Sequence, residues 1–268
     1  DESIPQSLSD WFQILRAILF CPADSDIVRG RPSKRRQLVD RAAFTANPHH
    51  LSLIRDFQRI LKQKSTLLKS PMVDLRQLDV WNEELIDLGT KVIIKRMEIV
   101  DQLSSSFSEM YDQIAGHDRV SIRMKGIGSE SRNSNEIRDE FRRRLEEIRG
   151  EEIRRQMVLI GPQRDDLIME LNGKSARNFA SQGQVRTLVL AFKLAELNAA
   201  NRRGDHPLFL VDDLTSELDR GRMNRLIELL AHLDSQVWMT TTDPKWLGPL
   251  PVDRTLNFRI DQGMVISP

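Results

Sequence analysis

The sequence predicts an α/β protein, with a mostly parallel sheet that carries the functional edge and a helical lobe inserted into it. Three observations predict it. From Met157 onward short apolar runs alternate with helical patterns, the arrangement that lays parallel strands against crossover helices. Between residues 41 and 155 the apolar residues instead recur at three- and four-residue steps over long stretches, as on one face of a helix. The run Leu208-Phe209-Leu210-Val211 is apolar without alternation and ends in Asp212-Asp213. A strand covered on both faces reads this way, and its carboxyl end would deliver two acids to the rim where open α/β sheets bind ligands.

With 268 residues the chain has room for two domains, or for one with a substantial insertion. We expect residues 1–40 to end the N-terminal part of the α/β lobe, 41–155 to form the helical lobe, and 156–268 to complete the α/β lobe. The chain begins at Asp1 rather than Met, just ahead of an expected helix near Trp11 to Ile14, which suggests a cut or partly observed molecule. An apolar run, Ile14 to Phe20, leads into a loop with Cys21-Pro22-Ala23-Asp24 and Gly30-Arg31-Pro32, then the basic group Lys34-Arg35-Arg36. In the helical lobe, Leu51, Ile54, Phe57, Leu61 and Leu68 make one stripe. Trp81, Leu85, Leu88, Val92, Ile99, Leu103, Phe107 and Met110 make a second, interrupted by Arg96. Ser70-Pro71 separates them, so two antiparallel helices follow.

Gly126 to Asn135, rich in Gly, Ser and Asn, reads as a loop with the composition of disorder. Asn135 to Arg155 reads as a charged helix with Ile137, Phe141, Leu145 and Ile148 on one side and Arg142-Arg143-Arg144 as a solvated face. Met157 to Ile160 and Leu167 to Leu171 look like strands joined through Gly161-Pro162-Gln163-Arg164-Asp165-Asp166, and Asn172-Gly173 is a hairpin-turn signal. A helix follows Gly183, then the strand at Leu208, a helix over Met223 to Leu233, and a β-branched strand over Val237 to Thr241. Leu256 to Ile260 and Met264 to Ile266 close the chain as a hairpin around Asp261-Gln262-Gly263.

Composition narrows the function classes. A hydrophobic fraction of 40% with 29% charged residues is that of a soluble globular protein, and no apolar run has the length of a membrane span. One cysteine, Cys21, excludes an internal disulfide and a Cys-based zinc cluster, which fits a reducing compartment; we expect the cytoplasm. A net charge of +1 is neutral about nucleic acid, so any polyanion surface must come from local clustering. The candidate cluster is Arg29, Arg31, Lys34, Arg35, Arg36 and Arg41, with Arg35 and Arg36 the assigned DNA contacts. The five histidines lack metal-ligand spacing and read as loop residues.

The chemistry concentrates in two places. Carboxylates at a sheet rim suit a hydrated Mg²⁺, which takes one or two of them and fills its other positions with water and phosphate oxygens. Ser181-Gln182-Gly183-Gln184 opens a helix, where unpaired N–H groups and the positive dipole end favour a phosphate and Gly183 permits close approach. Taken alone, the same turn reads better as a Ser N-cap with a flexible neighbour. The triplet Gly173-Lys174-Ser175 is a decoy for a P-loop: residue 168 is Ile where a Gly is needed, and the triplet sits in a hairpin turn.

The order of these pieces, a Ser-x-Gly-Gln turn, a strand ending Asp-Asp, Thr215-Ser216-Glu217-Leu218-Asp219 and a strand ending Thr-Thr-Asp, resembles the ABC-type ATPase head over residues 175–245. The wording from Asn172 through Leu188, with Leu19 to Asp24, Leu78 to Trp81 and Gly161 to Asp166, is similar to the RecF family of DNA repair ATPases across nearly the whole chain. That resemblance implies an ATP- and Mg²⁺-dependent homodimer that binds double-stranded and gapped DNA, works with RecR and RecO, and serves SOS-linked recombinational repair. By position it implies that Ser181, Gly183 and Gln184 form the signature turn touching the γ-phosphate of ATP held by the other subunit. Asp212 would hold Mg²⁺ through water, Asp213 would orient the attacking water, and Asp219 would lie at the dimer seam. Thr242 stands where many ABC enzymes have a switch histidine. The family's P-loop lies upstream of these residues, so the chain by itself is expected to be inactive. A transporter nucleotide subunit fits worse because of the long helical insertion, and an SMC-like head would carry a far longer coiled coil. A non-enzymatic helical interaction fragment is the other alternative.

Overall fold

The computed structural model describes residues 15–116, 118–213, 218–247, 250 and 252–266; the helix expected near Trp11 to Ile14 and the motif residues 214–217 lie outside them. In chain order the elements begin with β1 (Ala17–Phe20), the single turn α1 (Asp26–Arg29), α2 (Pro32–Ala46), α3 (His49–Leu68) and α4 (Leu75–Ala115). There follow β2 (Val120–Lys125), α5 (Ser134–Arg155), β3 (Asp166–Leu171), β4 (Lys174–Ser175), α6 (Ala176–Phe179) and α7 (Gln182–Arg202). The last part holds β5 (Leu208–Val211), α8 (Arg220–Ala231), β6 (Val237–Met239), β7 (Arg259–Asp261) and β8 (Met264–Ile266).

The functional edge belongs to a parallel sheet in the order β1-β5-β6, with Phe20 beside Val211 and Val211 beside Met239. β5 is the central strand, but it is not covered equally on both faces. Phe209 and Val211 are buried with α7 residues such as Leu188 and Phe192, whereas Leu208 and Leu210 are partly exposed. On the uncovered side, Leu19 and Trp238, which flank Leu210 in register, are 47% and 57% exposed. Uniform apolarity therefore overstated the cover: among the described residues helices pack on one face of this sheet.

α4 is the spine of the molecule. Its 41 residues, about 60 Å of helix, pack against α2, α3, α5, α7, α8 and β2. Asp74 caps its start by accepting hydrogen bonds from the Arg76 and Gln77 amides. Both predicted stripes are present, on α3 and α4, and Ser70-Pro71 lies in the turn between them. The division at 40/41 falls inside α2, and β2 pairs with β3, so secondary structure crosses both expected boundaries.

The second sheet is antiparallel, in the order β2-β3-β4, and was not expected. Its signal was legible: Val120, Ile122 and Met124 are buried and alternate with exposed Ser121, Arg123 and Lys125. Met157 to Ile160, expected as the neighbouring strand, is irregular, because Val120–Lys125 already occupies the edge of β3. Asn172 and Gly173, at φ 51° and 74°, turn β3 into β4 as a two-residue hairpin loop. Lys174 and Ser175 are thus strand residues and form no phosphate-cradling loop. Gly126 to Asn135 is a loop, but an organised one: Ile127 is buried and Gly128 lies against Ile137. On α5, Arg142, Arg143 and Arg144 pair with Glu83, Glu147 and Glu140 in the exposed ion pairs of a solvated face.

Arg96, which breaks the apolar stripe, ties α4 to α2 and to the turn at Pro162. Only 4% exposed, it grips Asp40 through two hydrogen bonds of 2.8 Å, donates to the Pro162 carbonyl at 2.6 Å and lies 3.6 Å from Asp165. Burial pushes the Asp40 carboxyl up, but hydrogen bonds from His50 and Arg96 and the Arg96 charge together hold it below its ordinary value. His50 is therefore a buried partner within a helix, not a loop residue. Asp165, more deeply buried, is pushed up to about 7 by desolvation, against the charges of Arg96 and Arg36.

A second buried pair joins α3 to α5: Lys64 Nζ lies 2.6 Å from Glu152, both side chains being at most 2% exposed. Glu152 also accepts from the Leu159 amide at 2.8 Å. Burial lowers the Lys64 pKa while Glu152 raises it. Lys64→Met is expected to cost about 3–5 kcal/mol by stranding a buried carboxylate. Lys64→Met with Glu152→Gln should recover most of that loss, both read from urea unfolding midpoints.

Candidate functional site

Three chain segments meet at the carboxyl rim of the parallel sheet. The Asp212 amide donates to the Phe20 carbonyl at 2.9 Å, and the Thr240 amide donates to Val211 at 2.9 Å, so β1, β5 and β6 end side by side. Asp212 is exposed and Asp213 half-buried, as acids at a ligand-facing rim require. Thr240 braces both: its hydroxyl donates to Asp212 Oδ1 at 2.7 Å and accepts from the Asp213 amide at 3.0 Å. Asp213 adopts φ 44°, left-handed backbone that few non-glycine residues take, although Asp is among those that do. The rim hydroxyl is thus Thr240. Thr242, assigned from the sequence, is exposed two residues further on. Thr240 escaped notice because the Thr240-Thr241-Thr242 run gives no sign of which hydroxyl faces β5 until the β5–β6 register is known.

The donor set fits a hydrated Mg²⁺: one exposed carboxylate on Asp212, oriented by a hydroxyl, with a second carboxylate adjacent.

The second group lies at the start of α7. Ser181 is its N-cap, with Oγ accepting from the Gln184 amide at 3.3 Å and Gln184 Oε1 accepting from the Ser181 amide at 2.9 Å. Gln184 Nε2 also donates to Asp118 at 3.2 Å, so the side chain braces the turn. Gly183 is half-buried on the first turn, outside the core. A Cβ there would meet Arg222 Nη1 at 2.9 Å, so the glycine makes room for a guanidinium. Arg222 in turn approaches Asp219 Oδ2 and Thr187 Oγ1, each at 3.4 Å. Asp219 is the N-cap of α8, accepting from the Arg222 amide at 3.0 Å. Gly183 and Asp219 therefore lie against Arg222, with Ser181 and Gln184 on the same turn as Gly183; Arg222 stands one residue ahead of the expected Met223 to Leu233 helix and was assigned nothing from the sequence.

The two groups stand apart within one chain. Lys193 of α7 reaches the β1 end, donating to the Leu19 carbonyl and lying 3.1 Å from Asp24, which sets that helix residue level with the rim. Ser181 is twelve residues earlier, hence about 18 Å further along the helix axis.

Half of the predicted DNA-facing cluster is spent internally. Arg35 is buried, forks onto Asp166 at 2.7 and 2.9 Å and donates to the carbonyls of Ile27, Val28 and Gly30. It is a folding anchor, not a surface contact, and the correction follows from α2 packing over β3. Arg36 donates to the Asp165 carbonyl at 2.7 Å, and Arg29 to Ala180 at 2.8 Å, bracing the residue before Ser181. Arg31 and Arg41 are exposed.

No family model matches the chain. It is 36% identical over 271 residues to the DNA replication and repair protein RecF of Citrifermentans bemidjiense, covering 100% of this chain and 74% of that relative. To the protein of the same name from Halothermothrix orenii it is 35% identical over 272 residues, covering 98% and 72%. Among solved structures, the recombination mediator protein RecF-ATP in the RecFOR pathway superposes with a TM-score of 0.81 at 25% identity, covering 95% and 68%. The ATPrS form gives 0.84 at 24% over 98% and 70%, a likeness of fold. Identity above a third, sustained along the chain and through nearly three quarters of each relative, means that the chain belongs to the RecF family of DNA replication and repair proteins.

Proposed function

We propose that the protein is a DNA-repair ATPase whose two copies close on Mg²⁺ and ATP, each offering its Ser181 turn to the nucleotide held at the other's Asp212-Asp213 rim. The feature that carries this is the spacing along α7: Ser181 lies about 18 Å of helix before Lys193, whose side chain reaches the end of β1 beside the rim. A single terminal phosphate cannot touch both from one chain, whereas two copies facing each other bring them together. Relatives named as DNA replication and repair proteins, and a solved relative described with ATP in the RecFOR pathway, support the setting: double-stranded and gapped DNA, with RecR and RecO as partners.

Bound Mg²⁺ would offset phosphate charge at the rim. The chain's own residues do the rest. Asp212 holds its place through Thr240, Asp213 accepts a hydrogen bond from the attacking water and aims it, and the first turn of α7 presents N–H groups to the phosphate. The sequence contains no Gly-x-x-x-x-Gly-Lys-Ser/Thr, so residues 1–268 alone are expected not to turn over ATP. Among the described residues no helix is long and apolar enough to cross a membrane.

Ser181→Glu in the full-length protein tests the reading. The carboxylate is tolerated at a helix start but repels a phosphate. Wild type should dimerise with Mg²⁺ and ATP in sedimentation, and the variant should stay monomeric with turnover reduced about 100-fold or more. Unchanged dimerisation and turnover would sink the proposal.

A further inference from the structure

Arg222 sits where a cation is electrostatically unwelcome. The start of a helix carries partial positive charge and favours anions. Yet the Arg222 guanidinium lies across the first turn of the 21-residue α7, filling the space that a Gly183 side chain would take. Its acidic partner there, Asp219, is engaged at 3.4 Å with its side chain 64% exposed, and the contact with Thr187 Oγ1 is equally long. Both are at the weak end of hydrogen-bond geometry. Two positive features, a guanidinium and a helix start, thus converge beside Ser181, faced by Asp219, which is loosely held and water-exposed, and by Asp118, which is already taken up by Gln184, Asn172 and Tyr111. Tetrahedral phosphoryl oxygens suit such a place, since guanidinium presents paired donors and the turn presents backbone N–H groups.

We propose that Arg222 is a catalytic residue acting between subunits, its guanidinium taking the terminal phosphate of the ATP held at the partner copy's rim. This rests on the two-copy reading above. In the step, the water oxygen bonds to the γ-phosphorus while the bond from that phosphorus to the β–γ bridging oxygen breaks. ADP leaves with the electron pair, and the water proton passes by way of the Asp213 region to the released phosphate. Arg222 offsets the charge that spreads over the equatorial oxygens, so its loss falls on turnover more than on nucleotide affinity. Asp219, capping α8 and touching Arg222, is the positioning residue that keeps the guanidinium on the turn.

A mixing experiment with full-length protein separates this from a structural role. Arg222→Gln keeps much of the stem and a polar end, and Arg222→Met serves in its place if the Gln variant melts early. Either should lower kcat about 1,000-fold, with KM changed far less. Asp213→Asn is inactive for a different reason. In a heterodimer, the ATP on the Arg222→Gln copy still has its own Asp213 and receives Arg222 from the Asp213→Asn copy. Equimolar mixing of the two dead variants should therefore restore about a quarter of wild-type turnover, since half of the dimers are mixed and each has one competent site of two. Failure to restore turnover with a variant that melts as wild type does, or an Arg222→Gln kcat within tenfold of wild type, overturns the proposal. Sedimentation of Asp213→Asn with Mg²⁺ and ATP distinguishes the two levels. A dimer there, without restoration for Arg222→Gln, leaves the two-copy reading standing and removes Arg222 from it, whereas a monomer removes both.

Discussion

Arg96→Leu should lower the stability of the fold by about 3–5 kcal/mol, among the largest costs available to a single side chain here. The leucine fits the stripe better by hydrophobicity, so a view in which α4 is held only by apolar burial predicts the opposite sign. What decides the matter is what remains. Asp40 loses both of its 2.8 Å hydrogen bonds from the guanidinium, and Asp165 loses the foremost charge holding its ionised form. The Pro162 carbonyl also loses its 2.6 Å donor and keeps only the 3.3 Å bond from the Asp165 amide. The loss has a characteristic pH dependence. A carboxyl whose folded pKa exceeds its unfolded value, about 3.9, binds a proton more tightly in the folded state, so stability falls as pH rises from the unfolded to the folded value and is level above it. Asp165 already stands at about 7, and without Arg96 it moves higher. The deficit of Arg96→Leu should therefore be larger at pH 8 than at pH 5 in paired urea titrations. Adding Asp40→Asn should recover part of it. A deficit that is independent of pH would show that the cost lies in packing and not in stranded carboxylates.

That same arginine illustrates what a sequence shows and what it withholds. Elements whose signal is local were legible: the stripes of α3 and α4, the Asn172-Gly173 turn, the cap and first turn of α7, and the apolar run of β5 ending in two acids. Period and cap chemistry act over a few residues, and those residues are adjacent in the chain. Partners distant in sequence were not legible. Arg96 meets Asp40 across 56 positions, Arg35 meets Asp166 across 131, and β2 finds β3 over an intervening helix. A guanidinium in an apolar stripe reads as a flaw, and one in a basic run reads as a nucleic-acid contact, until the fold supplies the carboxylate. The site divides in the same way. Asp212, Asp213, Ser181, Gly183, Gln184 and Asp219 are visible because each lies at the end of an element. Thr240 and Arg222 take their significance from a strand register and a helix–helix approach.

Asp213→Asn should lower ATP turnover by the full-length protein roughly 10²–10⁴-fold, the range for removing a positioned proton acceptor, while leaving nucleotide-dependent dimerisation intact. The substitution keeps the size of the side chain, and the backbone it must adopt, φ 44°, is one that Asn tolerates as well as Asp. The Asp213 amide still donates to Thr240, so the brace that orients Asp212 survives. The charge beside the attacking water is lost. Thr240→Val makes the complementary change. It leaves both carboxylates but takes away the hydroxyl that bridges Asp212 and the Asp213 amide, so the rim loosens without losing charge. Its turnover should fall less, on the order of tenfold, through misplacement of the groups, with a rise in the Mg²⁺ concentration needed for half-maximal rate. If Asp213→Asn retained turnover within tenfold of wild type, the rim acid would be a structural end to β5 and the chemistry would have to be sought elsewhere. If Thr240→Val matched Asp213→Asn in depth, the hydroxyl would be acting on the reacting groups directly and not through the acids it braces.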